Sequence, residues 1–520
     1  MHFTELYQDK IYGVIEGLDR VRFRGTDRML SNTDGFRLVL GKLGVLLKDF
    51  GAWADRTTKR LRALCSRQAQ RLGVPVYYLR GSGADKDALA RKVAEEHGVA
   101  QDGSICMFSV LEPCVAPTVV PNRETQHLEL IMLPRKCVFL YHYFDHPEVG
   151  FGHVRLQTWA PYTVTLCLNG RHWLEKQLQA HGVAYQKAGN CFPWIADVEL
   201  AQALMDAQLE THWHELLEGL VLNLCPGLLQ LCAPFEIRYY WSADETEFAT
   251  DVMFRSKAEL DALFPALLLH ATRVSDTKTV LRYFGRRAEG ARLGRVPHQV
   301  ETDCRRRHEG VRIKHWVNGD SVKMYNKGSL LRAETTINNA RNFKAFRPAN
   351  DDESKPSSWQ KMRKGVNDLY RRCDVSRKSN ERYLDALSVV QVHKTLHEVA
   401  KEACNRTSRN GRPVRGLNPW NQQDFTLLTF LAKGDWSLNG FRNKMLCKHL
   451  DPHLDKLSPQ ERKKLSSKTS RLIALLRAHG LVRKIAKENR YVLTETGQTF
   501  ANALIIASGI EVKRLADLAA

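Results

Sequence analysis

No apolar run in this 520-residue chain approaches the roughly 18–20 residues that a bilayer-spanning helix needs, which excludes a helical membrane protein. No Cys-x-x-Cys pair occurs among the twelve cysteines, so buried thiols in a reducing compartment are expected rather than a disulfide framework or a zinc ribbon. There is no G-x-x-x-x-G-K-[ST] loop, no G-x-G-x-x-G turn after a strand and no G-x-S-x-G elbow. ATP-driven chemistry, dinucleotide oxidoreduction and elbow-serine hydrolysis therefore lack their motifs. The opening Met1-His2-Phe3-Thr4-Glu5-Leu6 has neither a basic leader nor an apolar core segment, which makes a cytoplasmic protein the expectation.

Acidic residues are scarce in one half of the chain. The formal charge of +21 is confined there: residues 1–280 hold 30 basic against 33 acidic side chains, whereas residues 281–520 hold 48 against 24. Within that half, residues 281–420 carry 31 against 15 and residues 421–520 carry 17 against 9. A polyanion-binding protein needs this asymmetry, because neutralised phosphates release condensed counterions and supply sequence-independent affinity. Nucleic acid is the expected partner, DNA foremost with structured RNA as the alternative, and no membrane partner is expected.

The length implies several domains. The patterns read as α/β (α+β) in four segments: an α/β domain over 1–135, a mixed domain with an antiparallel meander over 136–346, a basic linker and helical segment over 347–415, and a nucleic-acid-binding domain over 416–520. In the first segment, strand candidates at Ile11–Leu18, Val21–Thr26, Val74–Leu79 and Ser104–Leu111 alternate with helical periodicity over Asp34–Leu72 and Asp85–His97. That order suggests a layer with parallel strands. A long helix is expected over Asp197–Leu222, and a β-β-α unit over Phe235–Trp241, Thr246–Phe254 and Lys257–Thr272. Asn318-Gly319 between Val311–Trp316 and Ser321–Tyr325 is a hairpin signal, since both central positions of a type I′ turn require positive φ. With Leu330–Ile337 these runs make a three-stranded meander, whose Arg332, Glu334 and Thr336 read as its solvated side.

The last hundred residues carry sharper punctuation. Helices are expected over Asp424–Leu431, over Leu438–His449 after an N-cap at Ser437, and from Ser458 through Leu476 to a stop at Gly480. Short strands Leu481–Ile485 and Arg490–Thr494 follow. The run Arg477-Ala478-His479-Gly480-Leu481-Val482-Arg483-Lys484, then Tyr491-Val492-Leu493-Thr494-Glu495-Thr496-Gly497, resembles the recognition-helix end, wing and exit of bacterial winged-helix regulators. Lys464, Lys468 and Arg471 recur at helical spacing, and Arg483, Lys484, Lys487 and Arg490 decorate the hairpin. Such a helix can enter the major groove while the wing touches the backbone.

Phosphodiester chemistry would require carboxylates converging on Mg²⁺ or Mn²⁺, because hard cations prefer oxygen ligands. Asp19, Asp251 and Glu334 sit at strand positions and are the candidate metal ligands and catalytic carboxylates. The run Ser321-Val322-Lys323-Met324-Tyr325-Asn326-Lys327-Gly328, with Leu331-Arg332-Ala333-Glu334 after it, resembles strands of rolling-circle replication initiators of the phage and plasmid type. That resemblance implies Asp251 and Glu334 as the acidic pair and Tyr383 or Tyr370 as a nucleophile that becomes joined to the 5′ end. Lys323, Lys327 and Arg332 would then contact nucleic acid. An RNase H-like two-metal site of Asp19, Asp251 and Glu334 is the alternative assembly, with no tyrosine required.

Histidines add little. His212-Trp213-His214 lies in a helical pattern where residues two apart diverge. The group His142, His146 and His153 could gather only if the chain turned back at Pro147 and Gly150, and structural histidines are the plainer expectation. The chain as a whole resembles a group of bacterial proteins sharing the Asp19-Arg20-x-x-x-x-Gly25-Thr26 start, which implies architecture but no activity. The readings are thus a metal-dependent DNA endonuclease or strand-transfer protein of a mobile element, a non-catalytic winged-helix regulator, or an RNA-binding protein acting as a ribonucleoprotein.

Overall fold

A computed structural model describes residues 2–228, 239–286, 300–307, 310–349, 354–388, 396–409, 411–432, 440–485 and 488–508. The chain is mixed α and β and forms two compact units interleaved along the sequence. One comprises residues 11–255 and 319–377; the other comprises 1–10, 256–318 and 378–520.

The first unit is built on a large sheet. Its elements in chain order are β1 (Ile11–Thr26), α1 (Thr33–Lys42), α2 (Phe50–Arg71), β2 (Val76–Leu79), α3 (Lys86–His97), β3 (Ser104–Pro121), β4 (Leu128–His146), β5 (Gly150–Gln157) and β6 (Val164–Asn169). There follow α4 (Gly170–Ala180), the small hairpin β7 (Tyr185–Ala188) and β8 (Cys191–Ile195), α5 (Val198–Leu209), α6 (Trp213–Leu224) and β9 (Tyr240–Phe254). The chain then passes through α7 (Lys257–Val274), α8 (Thr277–Tyr283) and the hairpin β10 (Glu301–Arg307) and β11 (Gly310–Val317) of the other unit. It returns as β12 (Asp320–Lys327), β13 (Leu330–Ile337) and the pair β14 (Lys344–Pro348) and β15 (Ser357–Lys361).

The sheet order in this unit is β12-β13-β9-β1-β6-β5-β4-β3-β2. Of the parallel strands expected over residues 1–135, β2 and β3 do pair parallel, but β1 is corrected, pairing antiparallel with β6 and β9; the remaining pairs of the sheet are antiparallel. Ile11–Leu18 and Val21–Thr26 are one continuous strand rather than two, because Asp19 enters as a bulge instead of a turn. The long helix expected over Asp197–Leu222 is two, α5 and α6, parted at Thr211 and His212.

Helices cover both faces. On one, α1, α2 and α6 bury Phe36, Phe50, Leu61 and Leu217 against Leu18, Leu140, Phe144 and Leu166 of the strands. On the other, α4, α5 and the β7–β8 hairpin enclose Ile15, Leu174, Leu178, Phe192 and Met205, while α3 covers Phe108 and Tyr141. Every residue of β13 is buried, and the strand is hydrogen-bonded to β12 on one side and to β9 on the other. The expectation that Arg332, Glu334 and Thr336 form a solvated face is therefore overturned.

The second unit ends in a compact set of elements. After α9 (Leu369–Leu387), which begins in the first unit, come α10 (Leu396–Cys404), β16 (Thr407–Arg409) and β17 (Arg412–Val414), α11 (Gln422–Ala432), α12 (Asn443–Leu450) and α13 (Pro459–Ala478). The hairpin β18 (Val482–Lys484) and β19 (Tyr491–Leu493) and the helix α14 (Glu495–Ser508) complete it. Ser458 caps α13 by accepting from the backbone N–H of Glu461, whose carboxylate accepts from Ser458 in return. Pro459 at the first helical position needs no N–H partner. Leu427, Leu428, Leu446, Leu472, Ile473, Leu476, Leu481 and Phe500 form one apolar core among these elements. The expected N-cap Ser437 lies outside the described residues.

Candidate functional site

Strand alternation and one bulge create a buried polar site on the β12-β13-β9-β1 part of the sheet. On β9, Glu247, Ala249 and Asp251 point to one face; on β13, Thr336, Glu334 and Arg332 stand opposite them. On β12, Lys323 faces Glu334 and Tyr325 faces Arg332. Leu18 pairs with Phe248 and Arg20 with Glu247, so Asp19 is the extra residue of a bulge, which re-aims its side chain.

Asn169 then places a cation over this face. It ends β6 and caps α4, accepting from the backbone N–H groups of Arg171 and His172 at 2.8 and 3.2 Å. A Cβ on Gly170 would lie 2.1 Å from the carbonyl oxygen of Leu18, so glycine permits the helix to start directly on the bulge. Arg171 consequently projects onto Asp251, with Nη2 3.1 Å from Oδ2 and also donating to the Ala249 carbonyl at 3.1 Å.

Asp19, Asp251 and Glu334, far apart in the sequence, do lie on one face, but in unequal roles. Arg332 takes Asp251 through both carboxylate oxygens, donating from Nε to Oδ1 and from Nη2 to Oδ2 at 2.7 Å. It also donates to Asp19 Oδ1 at 3.0 Å and to the Asn190 carbonyl at 2.6 Å. Asn190 donates its amide to Asp19, and Lys323 pairs with Glu334. Burial pushes the Asp19 carboxyl up, but Arg332 and Arg171 outweigh it and hold the group below its usual range. Burial would lower Lys323, yet Glu334 and Glu247 keep it charged and raise it.

Glu247 was not among the candidates from sequence, although it alternates on β9 with Asp251. Asp19, Glu247 and Glu334 each bring a carboxylate oxygen within 4.8 Å of the others. Burial, followed by the charge of Glu334, pushes Glu247 up to about 7. Lys323 and Arg20 lower it by less than burial and Glu334 raise it, so Glu247 can hold a proton, or a hard cation in its place. As metal ligands, Asp19, Glu247 and Glu334 fit; Asp251 does not, because Arg332 occupies both its oxygens. Arg171 and Asn190 carried no sequence signal, since only tertiary packing brings them here.

Beside the cluster runs an open groove of about 1100 Å³ between α3 and α4, lined by Arg20, Arg22, Arg91, His153, Lys187 and Asn190 among others. Its cations are largely answered within it: Arg22 pairs with Glu245 at 3.1 Å, Lys176 with Asp145 at 2.9 Å, and Lys187 with Glu175. It is a mixed-charge groove and not a cationic track.

Two nucleic-acid contacts expected from sequence are corrected. Arg332 is completely buried in its ion pairs, so phosphate cannot reach it. Lys323 is held inward by Glu334, its side chain 15% exposed. Lys327 is half-buried. Of the tyrosines, Tyr383 on α9 is fully enclosed; His315 Nε2 lies 3.2 Å from its hydroxyl, and the Tyr283 ring packs edge-on at 5.1 Å. Burial raises that hydroxyl far above its ordinary value, which leaves it inaccessible and unionised. Tyr370 is 45% exposed, with the Arg371 guanidinium over its ring.

The C-terminal cations behave differently. The buried side chains of α13, namely Thr469, Leu472, Ile473, Leu475 and Leu476, all fall in its C-terminal half. Its N-terminal half is solvent-facing, and Lys464, Lys468 and Arg471 are exposed one above another. The helix is fixed by α12: Asn443 donates to the Ser466 carbonyl at 3.1 Å and to Ser470 at 2.9 Å, and Cys447 to Thr469 at 3.2 Å. Arg483 and Lys484 are exposed on β18; Arg490 is half-buried and pairs with Glu488 at 3.3 Å. Lys487 lies outside the described residues.

Among the described residues no helix is long and apolar enough to cross a membrane. Comparison with protein-family models, with curated proteins and with solved structures gave no match to this chain.

Proposed function

We propose that the chain is a nucleic-acid-binding protein whose α11–α14 and β18–β19 elements act as a winged helix-turn-helix, with DNA the foremost ligand. The observation that carries this is the exposed row Lys464, Lys468 and Arg471 on a helix anchored by its far half, next to Arg483 and Lys484 on a short hairpin. A projecting helix of this kind offers its N-terminal part to the major groove, and the hairpin offers cations to the adjacent phosphates. Competition of a labelled duplex by unlabelled duplex, single-stranded DNA and structured RNA tests it. Duplex DNA should compete best; preference for structured RNA would instead select the ribonucleoprotein reading.

A second reading is favoured by the convergence of Asp19, Glu247 and Glu334: metal-dependent cleavage of a phosphodiester. A Mg²⁺ or Mn²⁺ ion held there would stabilise charge developing on the phosphate. Asp19 and Glu334 would supply ligand oxygens, Asp19 held ionised chiefly by Arg332, and Glu247 would exchange its proton for the cation. Arg332 and Arg171 would position Asp19. The enclosed hydroxyl of Tyr383 leaves the exposed Tyr370 as the tyrosine that a covalent adduct would need. Incubation of labelled single- and double-stranded DNA with Mg²⁺ or Mn²⁺ should give cleavage that Glu247→Gln abolishes and Tyr383→Phe retains. No cleavage by the native chain under any of these conditions would reduce the protein to a binding module.

A further inference from the structure

A second potential metal site lies on the opposite face of the same sheet, away from the carboxylates. Cys65 on α2, His142 on β4 and Cys225 at the C-terminal cap of α6 meet in the apolar core; the two thiols are fully buried and the imidazole is 4% exposed. One ligand atom from each lies within 4.8 Å of the other two. The enclosed Nε2 of His142 has no hydrogen-bond partner, an expensive condition in an apolar core unless something ligates it.

We propose that Cys65, His142 and Cys225 bind a soft, thiophilic metal ion, Zn²⁺ being the probe of choice. Two sulfurs and one imidazole nitrogen are a donor set for zinc and not for the hard cations that suit the carboxylate cluster. With Zn–S near about 2.3 Å and Zn–N near about 2.1 Å, tetrahedral ligation needs donor separations of roughly 3.5–3.8 Å. The observed bound of 4.8 Å allows this with small side-chain movements. Two thiolates and a neutral imidazole cancel the charge of a divalent ion, so the filled site adds no net charge to the core.

The expected consequence is structural. Because α2, the end of α6 and β4 are far apart in sequence, the ion would pin two helices to the sheet. No Cys-x-x-Cys spacing announces it, since each ligand comes from a different element.

The full chain, expressed with zinc and desalted, should contain about one zinc per molecule by mass spectrometry. Replacement by Co²⁺ should produce thiolate-to-cobalt charge-transfer absorption. Cys65→Ser and Cys225→Ser should lose both signals, while His142→Cys, which keeps a ligand, should bind Co²⁺ with an altered spectrum. The cobalt spectrum of the unmodified chain stands even if a serine variant fails to fold. A folded native chain that takes up no Zn²⁺ and shows no charge-transfer band overturns the proposal. So does non-reducing mass spectrometry that finds Cys65 and Cys225 joined as a disulfide, or metal content unchanged in folded serine variants.

Discussion

Arg332 and Asp251 stand directly opposite each other on β13 and β9 and are joined by two parallel hydrogen bonds, both side chains buried. A bidentate guanidinium–carboxylate pair is matched in shape as well as charge. The same guanidinium holds Asp19, so one residue fixes the geometry of the strands that carry the acidic cluster.

Removing that cation leaves two buried carboxylates with Arg171 as the remaining guanidinium beside them. Arg332→Ala is expected to cost about 3–5 kcal/mol, and Arg332→Lys to recover only part of it because an ammonium cannot make the two parallel bonds. Denaturant unfolding of the purified variants checks both. An Arg332→Ala chain as stable as the native one would show that the network is not structurally coupled.

Much of this architecture was legible in the residues. The Asn318-Gly319 turn, the three strands after Val311, the cap at Ser458 and the helix stop at Gly480 follow local rules, and each appears where those rules put it. Asp19, Asp251 and Glu334 stood out as carboxylates in strands. What could not be read was which carboxylate is clamped and which is open. That depends on a bulge at Asp19, on the helix that Asn169 and Gly170 start over it, and on a strand order in which β9 sits between β1 and β13. The solvated face assigned to β13 failed for the same reason: two-sided burial of a central strand is a property of layers and leaves its polar residues looking like surface ones.

Glu247 provides a pH test. Its carboxyl is raised from an ordinary 4.5 to about 7, so the folded chain holds a proton that the unfolded chain has already released. The sign follows: its favourable contribution is full below about pH 4.5 and is lost as pH rises through about 7. Thermal unfolding of Glu247→Gln should lack that component of the decline. Above pH 7, Mn²⁺ should raise the melting temperature of the native chain but not of Glu247→Gln. Equal shifts in both would place the ion elsewhere.

Tyr383 makes a structural prediction instead of a catalytic one. Tyr383→Phe removes the hydroxyl 3.2 Å from His315 Nε2 and should destabilise by about 1–3 kcal/mol, since the buried imidazole loses a partner. Nucleic-acid affinity at saturating fold should be unchanged. Denaturant unfolding and a binding titration on the same preparation separate the two effects. A covalent protein–DNA adduct lost in Tyr383→Phe would restore the nucleophile role.

The central claim is tested most directly by the salt dependence of duplex DNA binding, followed by fluorescence anisotropy, for the native chain and for a triple variant with Lys464, Lys468 and Arg471 each replaced by alanine. The predicted result is a steep linear fall of log affinity with log salt in the native chain. The variant should bind more weakly at low salt, with a slope shallower by about 1 for each cation that contacted a phosphate. Equal affinity and equal slope in the two proteins would contradict binding through this helix.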